Sequence, residues 1–318
     1  MISLVLSELV MRWIDPCGIS YHRSVHLFLD PETGAVEKEP QEEAPALPYL
    51  LRADHEFQGA FHARSNGLRM RGPPAQREKT EGVFRALFLG DSVTFGLGVD
   101  DGECFVDLLR KHFQGRSRAV EVLNAGCPGY NGVHEYLFFD RYAADLGCDL
   151  VILCFIFDDL PRQPTPEERT IQATEQRSLA FRAFASSWGE NLYLKQLLKH
   201  SYFVHLQSRG TLDAVFGIGR SGHNEAAWAQ YLVVLDQIAR RVTENGTRFA
   251  VMSFAPEPFL EEHCRKNDWP VLCCLEDIGE YTVDLRLSRV DAHPNRRGHR
   301  LIADRLIAAL ERLRLFPE

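Results

Sequence analysis

The sequence predicts an α/β fold: a three-layer αβα, doubly wound sheet of about five parallel strands, preceded by an N-terminal extension. Three observations carry this expectation. From Phe84 onward, short apolar runs alternate with stretches of helical periodicity. Several runs are apolar at consecutive positions, as in DLVILCFIF at 149–157, which suits strands covered by helices on both faces. The chain has 318 residues, 45% hydrophobic and 25% charged, enough for one large core and close to ordinary soluble composition.

The extension is read as residues 1–80. Its start, MISLVLSELVMRWIDP, is interrupted by Glu8 and Arg12. The apolar stretch falls short of the ~20 residues of a spanning helix. It lacks a basic start and a small-residue cleavage site. It reads as an amphipathic helix packed on the body, with the tail end of a membrane anchor as the alternative. A turn at Asp30–Gly34, an acidic stretch from Glu37 to Glu43 and a linker from Pro73-Pro74 to Glu81 complete a segment of short strands and irregular structure.

The main domain is read as 84–318. Strands are expected at Phe84–Gly90, Ala119–Leu123, Asp149–Phe157, Arg248–Phe254 and Val271–Leu275. Helices are expected at Asp101–Phe113, with Asp100 or Asp101 as N-cap, and at Val133–Leu146. Prolines after Pro161 break the alternation, so 161–222 reads as a helical insertion able to cover a site, with helices around 174–187 and 190–206. A helix at 224–244 carries an apolar stripe of Trp228, Tyr231, Leu232, Leu235, Ile238 and Val242. The last helix runs from about Asn295 to Leu313, with Pro294 suited to its first turn and Ile302, Leu306, Leu310 and Leu313 facing the core. The right-handed crossover rule leaves a few doubly wound orders, the flavodoxin-like one among them, and such sheets bind ligands beyond the C-terminal strand ends.

A net charge of −8 with scattered basic residues argues against a nucleic-acid partner. Arg296, Arg297 and Arg300 read as a solvated helix face. The eight cysteines show no zinc spacing, so neither a metal nor a cofactor is expected. Cys154, Cys273 and Cys274 fall in apolar runs and read as buried thiols rather than disulfide partners.

Chemistry-bearing residues gather at the predicted strand ends. The first strand runs into Gly90-Asp91-Ser92, and a short helical turn after Ser92 would aim N–H groups at a developing anion. Alone, this serine could equally be a turn cap. The second strand ends in Asn124-Ala125-Gly126, where the Gly126 N–H is a candidate oxyanion donor and Cys127 a rival nucleophile. A tight connection and a small packed thiol are the plain alternatives. The third ends in Asp158-Asp159, read as site residues, helix caps or solvated turn residues. Before the last helix comes Asp291-Ala292-His293-Pro294-Asn295, a spacing that lets a carboxylate fix the tautomer of a histidine base.

Together these blocks resemble the SGNH/GDSL hydrolase superfamily: Gly90-Asp91-Ser92, then Asn124-Ala125-Gly126, then Asp291-Ala292-His293-Pro294-Asn295. The likeness spans about 84–318. It looks like the bacterial branch with long N-terminal extensions, in which a segment similar to Ser65-Asn66-Gly67-Leu68-Arg69 is often found. The resemblance implies Ser92 as nucleophile, His293 as general base, Asp291 as its orienting partner, and the N–H groups of Ser92 and Gly126 in an oxyanion hole. It implies a serine esterase acting through an acyl-enzyme on acyl or acetyl esters of a carbohydrate or lipid. The alternatives are an O-acyltransferase acting on a glycan and a non-catalytic binding protein that retains the fold. The implied partner is a small-molecule or glycan ester, with membrane association only through the N-terminal segment. The resemblance favours a membrane-anchored or exported protein, whereas the chain as written reads as cytoplasmic.

Two positions depart from the family. Asp158 stands where the family has a donor asparagine, with Ile156 in place of a glycine two residues earlier. An ionised carboxylate cannot donate, so Asn131 or a water would substitute unless Asp158 is protonated. The Asp-x-His spacing is one residue shorter than in much of the family and resembles that of alginate-acetylation proteins. Asp158→Asn is therefore expected to keep or raise the rate of p-nitrophenyl acetate hydrolysis; a large loss would give Asp158 a specific role of its own.

Overall fold

The five apolar runs form one parallel sheet. The computed structural model describes residues 2–14, 29–30, 47–58, 61–114, 119–156, 159–160, 198, 201–202, 205, 225–244, 246–288 and 291–317. In chain order these contain α1 (Ile2–Ile14), the paired short strands β1 (Leu29–Asp30) and β2 (Leu50–Leu51), and a hairpin of β3 (Glu56–Gln58) and β4 (His62–Arg64). Then come β5 (Phe84–Gly90), α2 (Ser92–Phe95), α3 (Phe105–Phe113), β6 (Val120–Gly126), α4 (Gly132–Phe138) and β7 (Leu150–Phe155). The chain continues with α5 (Glu225–Thr243), β8 (Arg248–Ser253), α6 (Pro258–Lys266), β9 (Val271–Cys273) and α7 (Arg296–Arg312).

The sheet order is β6-β5-β7-β8-β9, every pairing parallel, which is the expected flavodoxin-like winding. Every residue of β5 and β7 is buried, because helices cover both faces. Alternate residues feed two cores. Leu87, Leu89, Leu123, Val151, Leu153 and Val251 pack with α4 and α5 on one face. Phe88, Ile152, Ala250 and Met252 pack with α3 and α7 on the other. β6 runs past its expected end, since Asn124, Ala125 and Gly126 continue the register against Phe88, Leu89 and Gly90.

Helix starts show where tertiary contacts override local signals. α3 begins at Phe105, not Asp101, and its N-cap Cys104 makes no side-chain cap. Asp100 and Asp101 are drawn away: their carboxylates accept the N–H groups of His62 (2.7 Å) and Arg64 (3.4 Å) from the hairpin. α7 is capped by Asn295, whose side chain accepts from Arg297 and Gly298, leaving Pro294 just before the cap. Its stripe is buried at Ile302, Leu306 and Leu310, but Leu313 is the C-cap and stands exposed. In α5 the stripe is buried at Trp228, Tyr231, Leu235, Ile238 and Val242, with Leu232 half-buried.

Two further expectations are corrected. α1 is a helix, but those of its apolar side chains that are described face solvent rather than the body: Val5, Leu6, Leu9 and Val10 are exposed and Trp13 is 87% exposed. Among the described residues no helix is long and apolar enough to cross a membrane. Cys273 is exposed, because β9 is the edge strand and turns one face outward. Cys154 and Cys274 are buried free thiols, as expected. Across the sequence-pattern change near residue 80 the packing is continuous. Leu50, Leu51, Phe57, Phe61, Ala63 and Met70 belong to the same apolar cluster as Leu87 and Leu89. The insertion expected at 161–222, with its two helices, lies almost wholly outside the described residues.

His299, on α7, is fully buried, and its Nδ1 accepts the Phe105 N–H (3.3 Å) at the start of α3. Burial, and then the charges of Arg71 and His293, push its pKa from 6.5 down to about 3. Between those values the unfolded chain binds a proton that the folded chain refuses, so stability falls as pH drops through this window. His299→Gln, which keeps an acceptor but does not titrate, should show a flatter loss of stability from pH 6.5 towards 3 in urea titrations. An unchanged slope would show that His299 is not the source of that loss.

Candidate active site

β5 delivers Gly90 to the sheet's C-terminal edge, and the chain turns at once into α2. Asp91 caps this turn, accepting the Val93 N–H on Oδ1 (2.9 Å) and the Ser92 hydroxyl on Oδ2 (3.1 Å). Ser92, the first residue of α2, is half-buried. Facing it from the loop before α7, His293 places Nε2 2.8 Å from Ser92 Oγ. His293 Nδ1 lies 2.6 Å from Asp291 Oδ1, and the same oxygen accepts the His293 backbone N–H at 2.9 Å. Asp291 is 8% exposed. With Nδ1–H donated to this carboxylate, Nε2 is the ring nitrogen left to accept the serine proton.

The histidine loop is tied at several points. Tyr281 donates its hydroxyl to Ala292 O (2.8 Å), Leu287 N–H donates to His293 O (2.9 Å), and Asp291 N–H donates to Ser288 Oγ (3.1 Å). Asn295 does double duty: while its oxygen caps α7, its Nδ2 donates to Asp284 O (2.9 Å) and Arg286 O (2.7 Å). The His293 ring is thus held in place by the ties of its own loop.

The expected oxyanion donors are placed unevenly. The Ser92 N–H opens a helix and so has no intrahelical acceptor. The Gly126 N–H, in contrast, already donates to Asn124 Oδ1 at 2.9 Å. Gly126 also has a steric role: a Cβ there would stand under 3.0 Å from the Phe95 nitrogen and the Thr94 carbonyl carbon. Asn131 is the N-cap of α4, its oxygen accepting from His134 N–H (3.2 Å), so only its amide NH2 is left as a donor. Asp158 lies outside the described residues. Asp159 is a buried turn residue whose Oδ2 accepts the Ile156 N–H (2.9 Å).

Cys127 is buried, and burial, with the Asp91 charge adding to it, pushes its thiol pKa up against the pull of Tyr130. A thiol held protonated is a poor rival to Ser92 as nucleophile. Among the described residues no group of three or more His, Cys, Asp or Glu side chains is placed to hold a metal ion. Sequence reasoning missed the Asn124 side chain, which is fully buried and donates to Thr94 O (2.8 Å) behind Ser92. Its only signal was a polar residue at the end of a buried strand.

A serine, a histidine and a carboxylate hydrogen-bonded in series at the C-terminal edge of a doubly wound sheet make up a site of the serine-hydrolase type. The chain belongs to the GDSL-like lipase/acylhydrolase family, whose family model matches residues 88–301, and is an ester hydrolase of that family. Solved structures similar to it include TesA, at 15% identity over 72% of this chain and 99% of that one, with a TM-score of 0.46. The esterase EstA from Pseudoalteromonas sp. aligns at 13% identity over 73% of this chain and 99% of that one, also at 0.46. The lipase/acylhydrolase from Enterococcus faecalis aligns at 13% identity over 72% and 96%, at 0.42. No curated protein matches the sequence.

Gly126→Ala should displace the Ser92 turn, because the new methyl group meets backbone rather than a movable side chain. The expected result is at least a tenfold loss of esterase activity, on the order of the ~1–3 kcal/mol of an overpacked core site, with a lowered Tm. Wild-type activity in Gly126→Ala would mean that the turn and β6 are not in this contact.

Proposed function

We propose that this protein is a serine esterase that cleaves acyl or acetyl esters of a carbohydrate or lipid through an acyl-enzyme on Ser92. The observation that carries this reading is the series Ser92 Oγ–His293 Nε2 at 2.8 Å and His293 Nδ1–Asp291 Oδ1 at 2.6 Å. Ser92 Oγ attacks the ester carbonyl carbon as its proton passes to His293 Nε2. The oxygen that becomes negative is met by the Ser92 N–H. As the C–O bond to the alcohol breaks, His293 returns the proton to the departing oxygen. Water, deprotonated by the same nitrogen, then attacks the acyl-serine and releases the acid, restoring the Ser92 hydroxyl. Asp291 stays ionised throughout, holding the ring tautomer and stabilising the imidazolium.

Asp91 competes for the Ser92 proton at 3.1 Å, but the histidine contact is shorter. In this reading Asp91 chiefly caps the turn.

The test is p-nitrophenyl acetate turnover. Ser92→Ala is expected to lose about 10³-fold or more, and Asp291→Asn a comparable amount through the wrong tautomer. Equal rates in wild type and Ser92→Ala would sink the proposal. With a sugar alcohol present, free acid should remain the main product; faster acyl release into the sugar would make the protein a transferase using the same residues.

A further inference from the structure

We propose that Arg71, which precedes the family-matched region, is a positioning residue for the nucleophile, fixing the turn that carries Ser92 and so making residues 47–72 part of the catalytic unit. The proposal rests on the serine-esterase reading above.

A helix of four residues cannot hold itself, because each end leaves several backbone groups without partners and nucleation is unfavourable. In α2, Ser92 O is taken by the N–H groups of Gly96 and Leu97, and Thr94 O by Asn124. The next carbonyls belong to Arg71. Its Nη1 donates to Phe95 O (2.9 Å) and Gly96 O (2.5 Å), and its Nη2 to Val99 O (2.7 Å). Three carbonyls on one bend require a planar fork of donors, which an ammonium does not offer.

The guanidinium is fully buried. It lies over the Phe95 ring at 5.0 Å and 3.6 Å from an Asp101 oxygen. A cation in such a place is costly unless well bonded, so its partners are set closely. Its own backbone is pinned too: the Arg71 N–H donates to Asn124 O (3.0 Å), and Arg71 bridges Ser65 on one side and Asn124 on the other. Arg71 and Asn124 therefore form one clamp, holding four successive or nearby carbonyls behind the nucleophile.

The clamped bend also touches the histidine. Leu287 packs against Gly98, closely enough that a Cβ there would lie under 3.0 Å from the leucine side chain. The Leu287 N–H donates to His293 O. A few residues on, Asp101 N–H donates to His62 O (2.7 Å) of the hairpin. Through the 96–101 bend, Arg71 thus acts on both ends of the Ser92–His293 hydrogen bond without touching substrate.

The experiment uses the full chain with Arg71→Met and Arg71→Lys. Ser92 is labelled with a fluorophosphonate probe, and the per-site labelling rate, kcat, KM and Tm are measured. A misplacement of the nucleophile by about 1 Å is expected to slow labelling and kcat by about 10²-fold. KM should change little, and Arg71→Lys should recover part of the rate. A purely structural role would lower the number of labelled sites or Tm while each labelled site reacts at the wild-type rate, and that result overturns the proposal. Failure of both variants to fold also overturns it, leaving Arg71 a folding residue. Wild type that does not label at Ser92 would overturn the esterase reading and this proposal together, whereas labelled wild type with normal variant rates overturns only this one.

Discussion

Ser92 rides on one turn of helix, and one turn of helix has too few internal hydrogen bonds to be stable in isolation. Most of what surrounds the site follows from that constraint. Asp91 closes the turn's front end by accepting the Val93 N–H. The rear carbonyls are met by Asn124 and Arg71. The turn can come this close to the neighbouring strand because Gly126 lacks a Cβ. Asn124 uses both ends of its carboxamide, donating to the turn and accepting the Gly126 N–H, so one buried side chain aligns two adjacent loops.

The histidine is supported on the same principle but from another part of the chain. Its loop is tied through backbone groups that meet Tyr281, Leu287, Ser288 and Asn295. Asn295 joins that loop to the N-terminus of α7, which packs through Ile302, Leu306 and Leu310 onto the sheet face opposite α4 and α5. The position of the imidazole is therefore set by the core rather than by the loop.

The sheet was legible from sequence because fully buried parallel strands read as unbroken apolar runs, and Phe84–Gly90 needed no correction. Ser92, Asp291 and His293 were legible because each lies where an apolar run or a helix meets polar residues at a strand-to-helix edge. What could not be read were partners far away in the chain. Asp100 and Asp101 look like caps until the hairpin residues His62 and Arg64 arrive as competitors. Arg71 carries no signal of its own in the sequence, yet it is buried on carbonyls more than twenty residues away. Gly126 was recognised as important for its N–H, whereas its missing side chain is what the packing uses. Leu313 and Cys273 failed for a simpler reason: periodicity does not say where a helix or a sheet ends.

Ser92 and His293 lie 201 residues apart. In a chain made from its N-terminus, Ser92, Arg71 and Asn124 are all made long before His293, and the sheet's middle strands precede the helix that anchors the imidazole loop. The Ser92 hydroxyl has Asp91 beside it from the start, and its shorter contact, to His293, comes from one of the last segments of the chain. On the proposed function, a chain clipped before Asp291 would keep Ser92 and the turn that carries it but lose the histidine that takes its proton.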